Sequence, residues 1–191
     1  MSKIIYNMSM SLDGYVRAEG DTVAEPLGVG GERLHQWFFE DDPVNQRFVK
    51  TMVDALGAVV AGRTTYDSSA WGSDGPTGAR RLPTFVVTHD APPSPPESGV
   101  YTFITGGIVE AVAAARAAAQ GRNVSVMGGP DIGGQAIAAG VVDEIVVSVV
   151  PILFGGGLPM FSHLPEHVPL ERVSVMDTGA ATHITYRVLK K

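Results

Sequence analysis

Val124-Ser125-Val126-Met127-Gly128-Gly129-Pro130-Asp131-Ile132-Gly133-Gly134-Gln135-Ala136-Ile137 is the stretch that decides how this chain folds. It opens with an apolar, β-branched run suited to a strand buried on both faces. It breaks at two glycines and restarts at Pro130, a position where a helix loses nothing by lacking an N–H. The pattern is strand, tight turn, helix. Such a turn leaves the free N–H groups of the helix's first turn, and the positive end of its dipole, facing outward at the carboxyl end of the strand, where open α/β sheets place ligands. Gly128 and Gly129 let a ligand lie against bare backbone. The plainer alternative is a helix-start turn whose glycines only satisfy chain geometry, because glycine-rich turns of this length are common in α/β units.

The same pattern occurs upstream. Ala58-Val59-Val60-Ala61 reads as a short buried strand, and Gly62-Arg63-Thr64-Thr65-Tyr66-Asp67 turns from it into a second helix start. Here a guanidinium and two hydroxyls join the exposed N–H groups, a set that suits a phosphate; a surface arginine beside a threonine N-cap is the alternative. Outward from these two units, residues 3–10 form a strand that stops at Ser11-Leu12-Asp13-Gly14, a strong turn signal. A long irregular segment from about Ala18 to Phe39 follows, containing Gly28, Gly30 and Gly31 and pinned near its end by Leu34, Trp37, Phe38 and Phe39. Asp41-Asp42-Pro43 opens a helix that runs through Phe48, Met52 and Leu56 and stops at Gly57. Thr84–Val87 is a strand ending at Thr88-His89. A proline-rich connector, the strand Tyr101–Ile104 and an alanine-rich helix to about Ala119 come next. A long apolar strand starts at Asp143 and ends before Gly155-Gly156-Gly157. The last two strands, roughly 170–176 and 182–189, have no helix between them and so pair antiparallel at one edge. The order predicts one α/β domain over residues 1–191 with a mostly parallel sheet.

Composition bounds the function. A 191-residue chain with 45% hydrophobic residues buries a real core, and a formal charge of -6 with scattered basic residues leaves no electrostatic footprint for nucleic acid or an anionic membrane. A small-molecule partner is expected instead. The absence of cysteine excludes disulfides, thiolate metal sites and a cysteine nucleophile. No apolar run approaches the roughly 20 residues that span a bilayer, and the N-terminus enters a strand directly, so a cytoplasmic location is expected. Neither G-x-G-x-x-G nor G-x-x-x-x-G-K-[ST] occurs.

Taken together, Met10-Ser11-Leu12-Asp13-Gly14, Gly62-Arg63-Thr64-Thr65-Tyr66, Val126-Met127-Gly128-Gly129-Pro130, Val142-Asp143-Glu144-Ile145 and Pro151-Ile152-Leu153-Phe154-Gly155-Gly156-Gly157 resemble the dihydrofolate reductase-like superfamily. The nearest branch is the reductase domain of bacterial riboflavin biosynthesis and its stand-alone relatives. The resemblance implies a three-layer sandwich with an eight-stranded sheet, NADPH across the strand ends, and a homodimer. It assigns Gly62, Arg63, Thr64 and Thr65 to the cofactor phosphates, and Thr88 and His89 to the adenosine 2'-phosphate. Gly128 and Gly129, joined by a cis peptide, would hold the diphosphate and the nicotinamide side, with Ile132 beside them. Backbone near Ser9 and Val16 would flank the nicotinamide. The chain lacks the cysteines of the zinc deaminase domain that accompanies the reductase in the bifunctional enzyme, and no single acid aligns to the pterin-binding carboxylate on the first helix.

The chemistry expected is reduction of a small planar heterocycle or a related carbonyl or imine compound, for which the protein supplies orientation, a dry pocket and a proton source. Asp13 is the candidate to bind or protonate the substrate, a turn aspartate before Gly14 being the alternative. Trp37 is the candidate to stack on the substrate, against a role in pinning its loop to the core. The segment 18–39 offers no basic cluster for a phosphorylated sugar, so an unphosphorylated substrate is expected. His163 and His167 have metal-ligand spacing, but Pro165 and Pro169 interrupt any helix there and no third ligand is evident, so no metal is expected. Two other readings remain: a cofactor-binding protein without catalysis, and an unrelated flavodoxin-like protein that uses the same turns for FMN.

Overall fold

The computed structural model describes every residue except Met1, Ala70, Ser98, His163, Pro165 and Lys191. Its elements follow as β1 (Ile4–Ser11), β2 (Tyr15–Arg17), α1 (Arg33–Gln36), α2 (Pro43–Asp54), β3 (Leu56–Gly62), α3 (Arg63–Ser68), β4 (Thr84–Val87) and β5 (Tyr101–Ile104), then α4 (Ile108–Ala118), β6 (Asn123–Met127), α5 (Pro130–Ala138), β7 (Glu144–Val150), β8 (Leu158–Pro159), β9 (Leu170–Asp177) and β10 (Thr182–Val188). Eight strands form one sheet in the order β5-β4-β3-β6-β1-β7-β10-β9, in which only β10 runs against the rest. This is the predicted α/β sheet with an antiparallel C-terminal edge. The order also sets aside the flavodoxin-like alternative, whose sheet is parallel in the order 2-1-3-4-5.

Burial explains the strand sequences. In β3, residues 56–61 are all buried, which requires covering layers on both faces. Along β1 the faces alternate: Tyr6 packs under α5, where a β-carbon on Gly133 would enter its ring, while the next residue, Asn7, donates to Met52 Sδ of α2 at 2.8 Å. The two helices therefore lie on opposite faces, and the molecule has three layers. Gly133 has a packing reason here: a glycine inside a helix costs about 1 kcal/mol against alanine, and the tyrosine ring leaves room for nothing larger. Helix α4 buries Ile108, Ala111, Val112 and Ala115, the stripe its alanine-rich sequence predicts. Helix α2 starts where predicted, with Pro43 in its first turn and Asp42 Oδ1 accepting from the Asn45 N–H at 2.8 Å. It ends earlier than predicted. The Arg80 guanidinium donates to the carbonyls of Val53 and Leu56, closing the helix so that Leu56 begins the strand.

The segment 18–39 is more ordered than expected. Ala18 and Val29 donate backbone hydrogen bonds to Leu27 and Glu19, closing a hairpin-like loop, and residues 33–39 form α1 and a following 3₁₀ turn. A second, two-stranded sheet, also unforeseen, pairs β2 with β8.

Candidate active site

Strands β4, β3, β6, β1 and β7 run in parallel and so end at one edge of the sheet, with β6 returning between β3 and β1 after the chain has moved outward through β4 and β5. A reversal of this kind opens a crevice at the strand ends. The two turns singled out in the sequence meet there. A β-carbon on Gly128, at φ +127°, would lie 2.6 Å from Thr65 Oγ1, and one on Gly62 would lie 3.6 Å from Ile132 Cβ. Gly128 is thus constrained twice, by backbone conformation and by the hydroxyl against it. Gly129 is different: a β-carbon there would meet nothing nearer than Leu158 Cδ2 at 3.7 Å. Its backbone faces open space beside β8, which fits a ligand lying on bare peptide. The Gly128–Gly129 bond is trans, contrary to the cis peptide that the resemblance implies; the positive φ of Gly128 makes the turn instead.

At the end of β3, Gly62 rather than a threonine holds the N-cap of α3. Arg63 reaches across to β4. Its Nε donates to both oxygens of Asp67 at 2.8 Å, and its Nη1 donates to the Asp90 carbonyl at 2.9 Å and to Thr88 Oγ1 at 3.4 Å. Thr88 is buried and donates its own hydroxyl to the Asp90 carbonyl at 2.7 Å, while His89 and Thr64 are exposed. Arg63, Thr65, Thr88, Gly128, Gly129 and Ile132 therefore occupy one continuous edge. Ser9 and Val16 are buried.

Two of the predicted substrate residues are corrected by their surroundings. Trp37 is 5% exposed, its Nε1 donates to Ser9 Oγ at 2.9 Å, and its ring packs edge-on to His183 at 4.6 Å and against Phe48. An indole held in this way cannot stack on a substrate; it anchors the loop to the second core with Leu34, Val150 and Ala181. Asp13 accepts from the Ser11 hydroxyl at 2.6 Å, from the Phe154 N–H at 3.2 Å and from the Gly155 N–H at 2.7 Å. The Ser11 hydroxyl and these backbone N–H groups hold its carboxyl below the usual carboxylate range, so it stays ionised and is a poor proton donor. Its role is to clasp the β1–β2 turn onto the loop after β7.

The crevice continues into two open clefts that meet at Ala18 and Glu19. One, of about 420 Å³, has Val29, Arg33 and Phe154 in its wall; the other, of about 270 Å³, has Arg17, Gly157 and Leu158. Arg33 and Gly30 belong to the segment expected to form the substrate pocket. Glu19 lies over Gly156, where a β-carbon would stand 2.6 Å from its Oε1. Sequence reasoning missed His183, which is buried with Nδ1 2.8 Å from Ser148 Oγ and its ring stacked on Phe48 at 4.0 Å. Burial lowers its pKa to about 4, partly opposed by Asp177. Of His163 and His167, the pair at which no metal is expected, His163 lies outside the described residues.

The model of the RibD C-terminal domain family matches residues 2–184. A putative riboflavin biosynthesis protein from Shewanella sp. PV-4 superposes with a TM-score of 0.74 at 21% identity, over 98% of this chain and 99% of that one. The diaminohydroxyphosphoribosylaminopyrimidine deaminase/5-amino-6-(5-phosphoribosylamino)uracil reductase of Thermotoga maritima gives 0.67 at 16% identity, over 98% of this chain and 57% of that one. Dihydrofolate reductase from Enterococcus faecalis, complexed with NADP(H) and RAB-propyl, gives 0.59 at 16% identity, over 98% and 97%. These likenesses are likenesses of fold.

Proposed function

The chain belongs to the RibD C-terminal domain family, and from that premise we propose that it is an NADPH-dependent reductase of a small planar heterocycle. The observation that carries this reading is the meeting of the two glycine turns at the strand ends: Thr65 against Gly128, Ile132 against Gly62, and an unobstructed Gly129. The residues present fit a dinucleotide. Gly128 and Gly129 offer bare backbone to its diphosphate, Thr65 a hydroxyl beside them, and Arg63, Thr88 and His89 donors for a 2'-phosphate. When bound, the cofactor supplies a hydride. The protein's own part is to orient the cofactor on Gly129 and Leu158 and to wall off the substrate with the 18–33 loop. Because Asp13 is held ionised, the proton for the reduced atom comes from solvent entering the open clefts.

The substrate in this reading is unphosphorylated. The glycine-rich loop after β7 brings backbone N–H groups suited to an anion close to the clefts. Asp13 takes two of them, and Glu19 lies over Gly156. A substrate phosphate there would meet carboxylates. We further propose a homodimer built on β9, whose eight residues are all exposed on both faces.

Calorimetric titration with NADPH, followed by turnover against a panel of pteridines, flavins and pyrimidines, tests the reading. Cofactor binding with turnover supports it. Binding without turnover of any compound favours the non-catalytic alternative, and no binding removes both.

A further inference from the structure

Arg63 and Thr88, the buried or half-buried donors assigned to the cofactor's 2'-phosphate, are both already committed to acceptors of this chain. Both oxygens of Asp67 lie 2.8 Å from Arg63 Nε, and the Asp90 carbonyl takes Arg63 Nη1 at 2.9 Å and the Thr88 hydroxyl at 2.7 Å. Asp67 and Arg63 sit one helical turn apart on α3, an i,i+4 pair that helix geometry itself brings together. A 2'-phosphate that reaches the guanidinium joins these acceptors around one cation, and it brings about two negative charges next to the carboxylate of Asp67. An unphosphorylated adenosine ribose makes no such demand.

We propose that Asp67 sets the cofactor selectivity of this site by competing with the 2'-phosphate for Arg63. The proposal rests on the reading of Arg63 as a phosphate ligand. Asp67 lowers the affinity for the phosphorylated cofactor and leaves the affinity for the unphosphorylated one alone, so it holds the preference for NADPH below what Arg63 by itself would give. Its side chain is half-exposed, which keeps the effect modest: screened pairs and like-charge contacts at a surface shift an equilibrium about two- to fivefold.

The test is a set of dissociation constants by calorimetry for NADPH and NADH, and for the fragments 2',5'-ADP and 5'-ADP, on the wild type, D67N, R63Q and the double variant. D67N is expected to tighten NADPH and 2',5'-ADP about two- to fivefold, to leave NADH and 5'-ADP unchanged, and to have no effect in the R63Q background. The gain should shrink at high salt. Weaker NADPH binding in D67N would mean that Asp67 positions Arg63 rather than competing for it, and would overturn the proposal, as would equal changes for both cofactors. The underlying reading fails separately: R63Q would then leave the NADPH to NADH ratio where it was, or no cofactor would bind at all.

Discussion

Gly129 and Gly128 make different demands on a substitution, although they are neighbours in one turn. A β-carbon at 129 meets only Leu158 Cδ2 at van der Waals distance, so Gly129→Val should keep its fold, with melting within a few degrees of wild type, while losing measurable NADPH binding. A variant that binds NADPH normally would make the turn purely structural. Alanine at 128 is strained by φ +127° and by Thr65, and destabilises by about 1–3 kcal/mol before any ligand is considered. Asp13→Asn tests the clasp. If the carboxylate donated the proton, turnover would vanish; the expected result is a loss of less than about tenfold, with the shape of the pH profile kept. The two turns holding Gly62, Arg63, Thr65, Gly128 and Ile132 were legible because each carries its signal locally, as a strand run, small residues and a helix start; that they meet was implied by the resemblance alone. Trp37 and Asp13 were not legible. What decides them is Ser9 and Phe48 for the one, and Phe154 and Gly155 for the other, the last two 141 and 142 residues away.

At the level of elements, the junction of β7, β10 and α2 buries a polar line inside an apolar layer. Trp37 bonds Ser9, Ser9 sits opposite Ser148 on the adjacent strand, and Ser148 bonds His183. His183 is neutral in the fold, its pKa lowered to about 4 by burial. Between about pH 4 and the ordinary histidine pKa of about 6.5 the unfolded chain binds a proton that the folded chain does not, so stability falls as pH drops through this window and levels off below it. The size is of order 3 kcal/mol. Denaturation midpoints from pH 7 to pH 4 check this, and His183→Asn should flatten the curve; an unchanged slope would place the pH dependence elsewhere. Nothing in Thr182–Val188 marks that histidine, because strand alternation reports a face and not which neighbours cover it. The pairing of β2 with β8 escaped for a similar reason, since strands of three and two residues are too short to show a period.

Taken whole, the molecule leaves one strand without cover. Both helical layers stop short of β9, where Val173, Val175 and Met176 stand 41–53% exposed on a free edge. A second copy covering this edge would give a dimer mass by light scattering at micromolar concentration, and Val175→Lys should shift it to monomer with the fold intact; a monomeric wild type would contradict the dimer. The parallel sheet with its antiparallel edge was readable because each βα unit is continuous in sequence, whereas the walls of the clefts come from segments more than a hundred residues apart. Those walls are joined by the Asp13 clasp, by the β2–β8 pair and by backbone hydrogen bonds from Leu12 to Ile152 and from Met160 to Gly14. They therefore form a single mechanical part. An exchange of the 18–33 segment with that of a relative would transplant substrate preference only if residues 151–160 travelled with it, and a length change in one loop would need a matching change in the other.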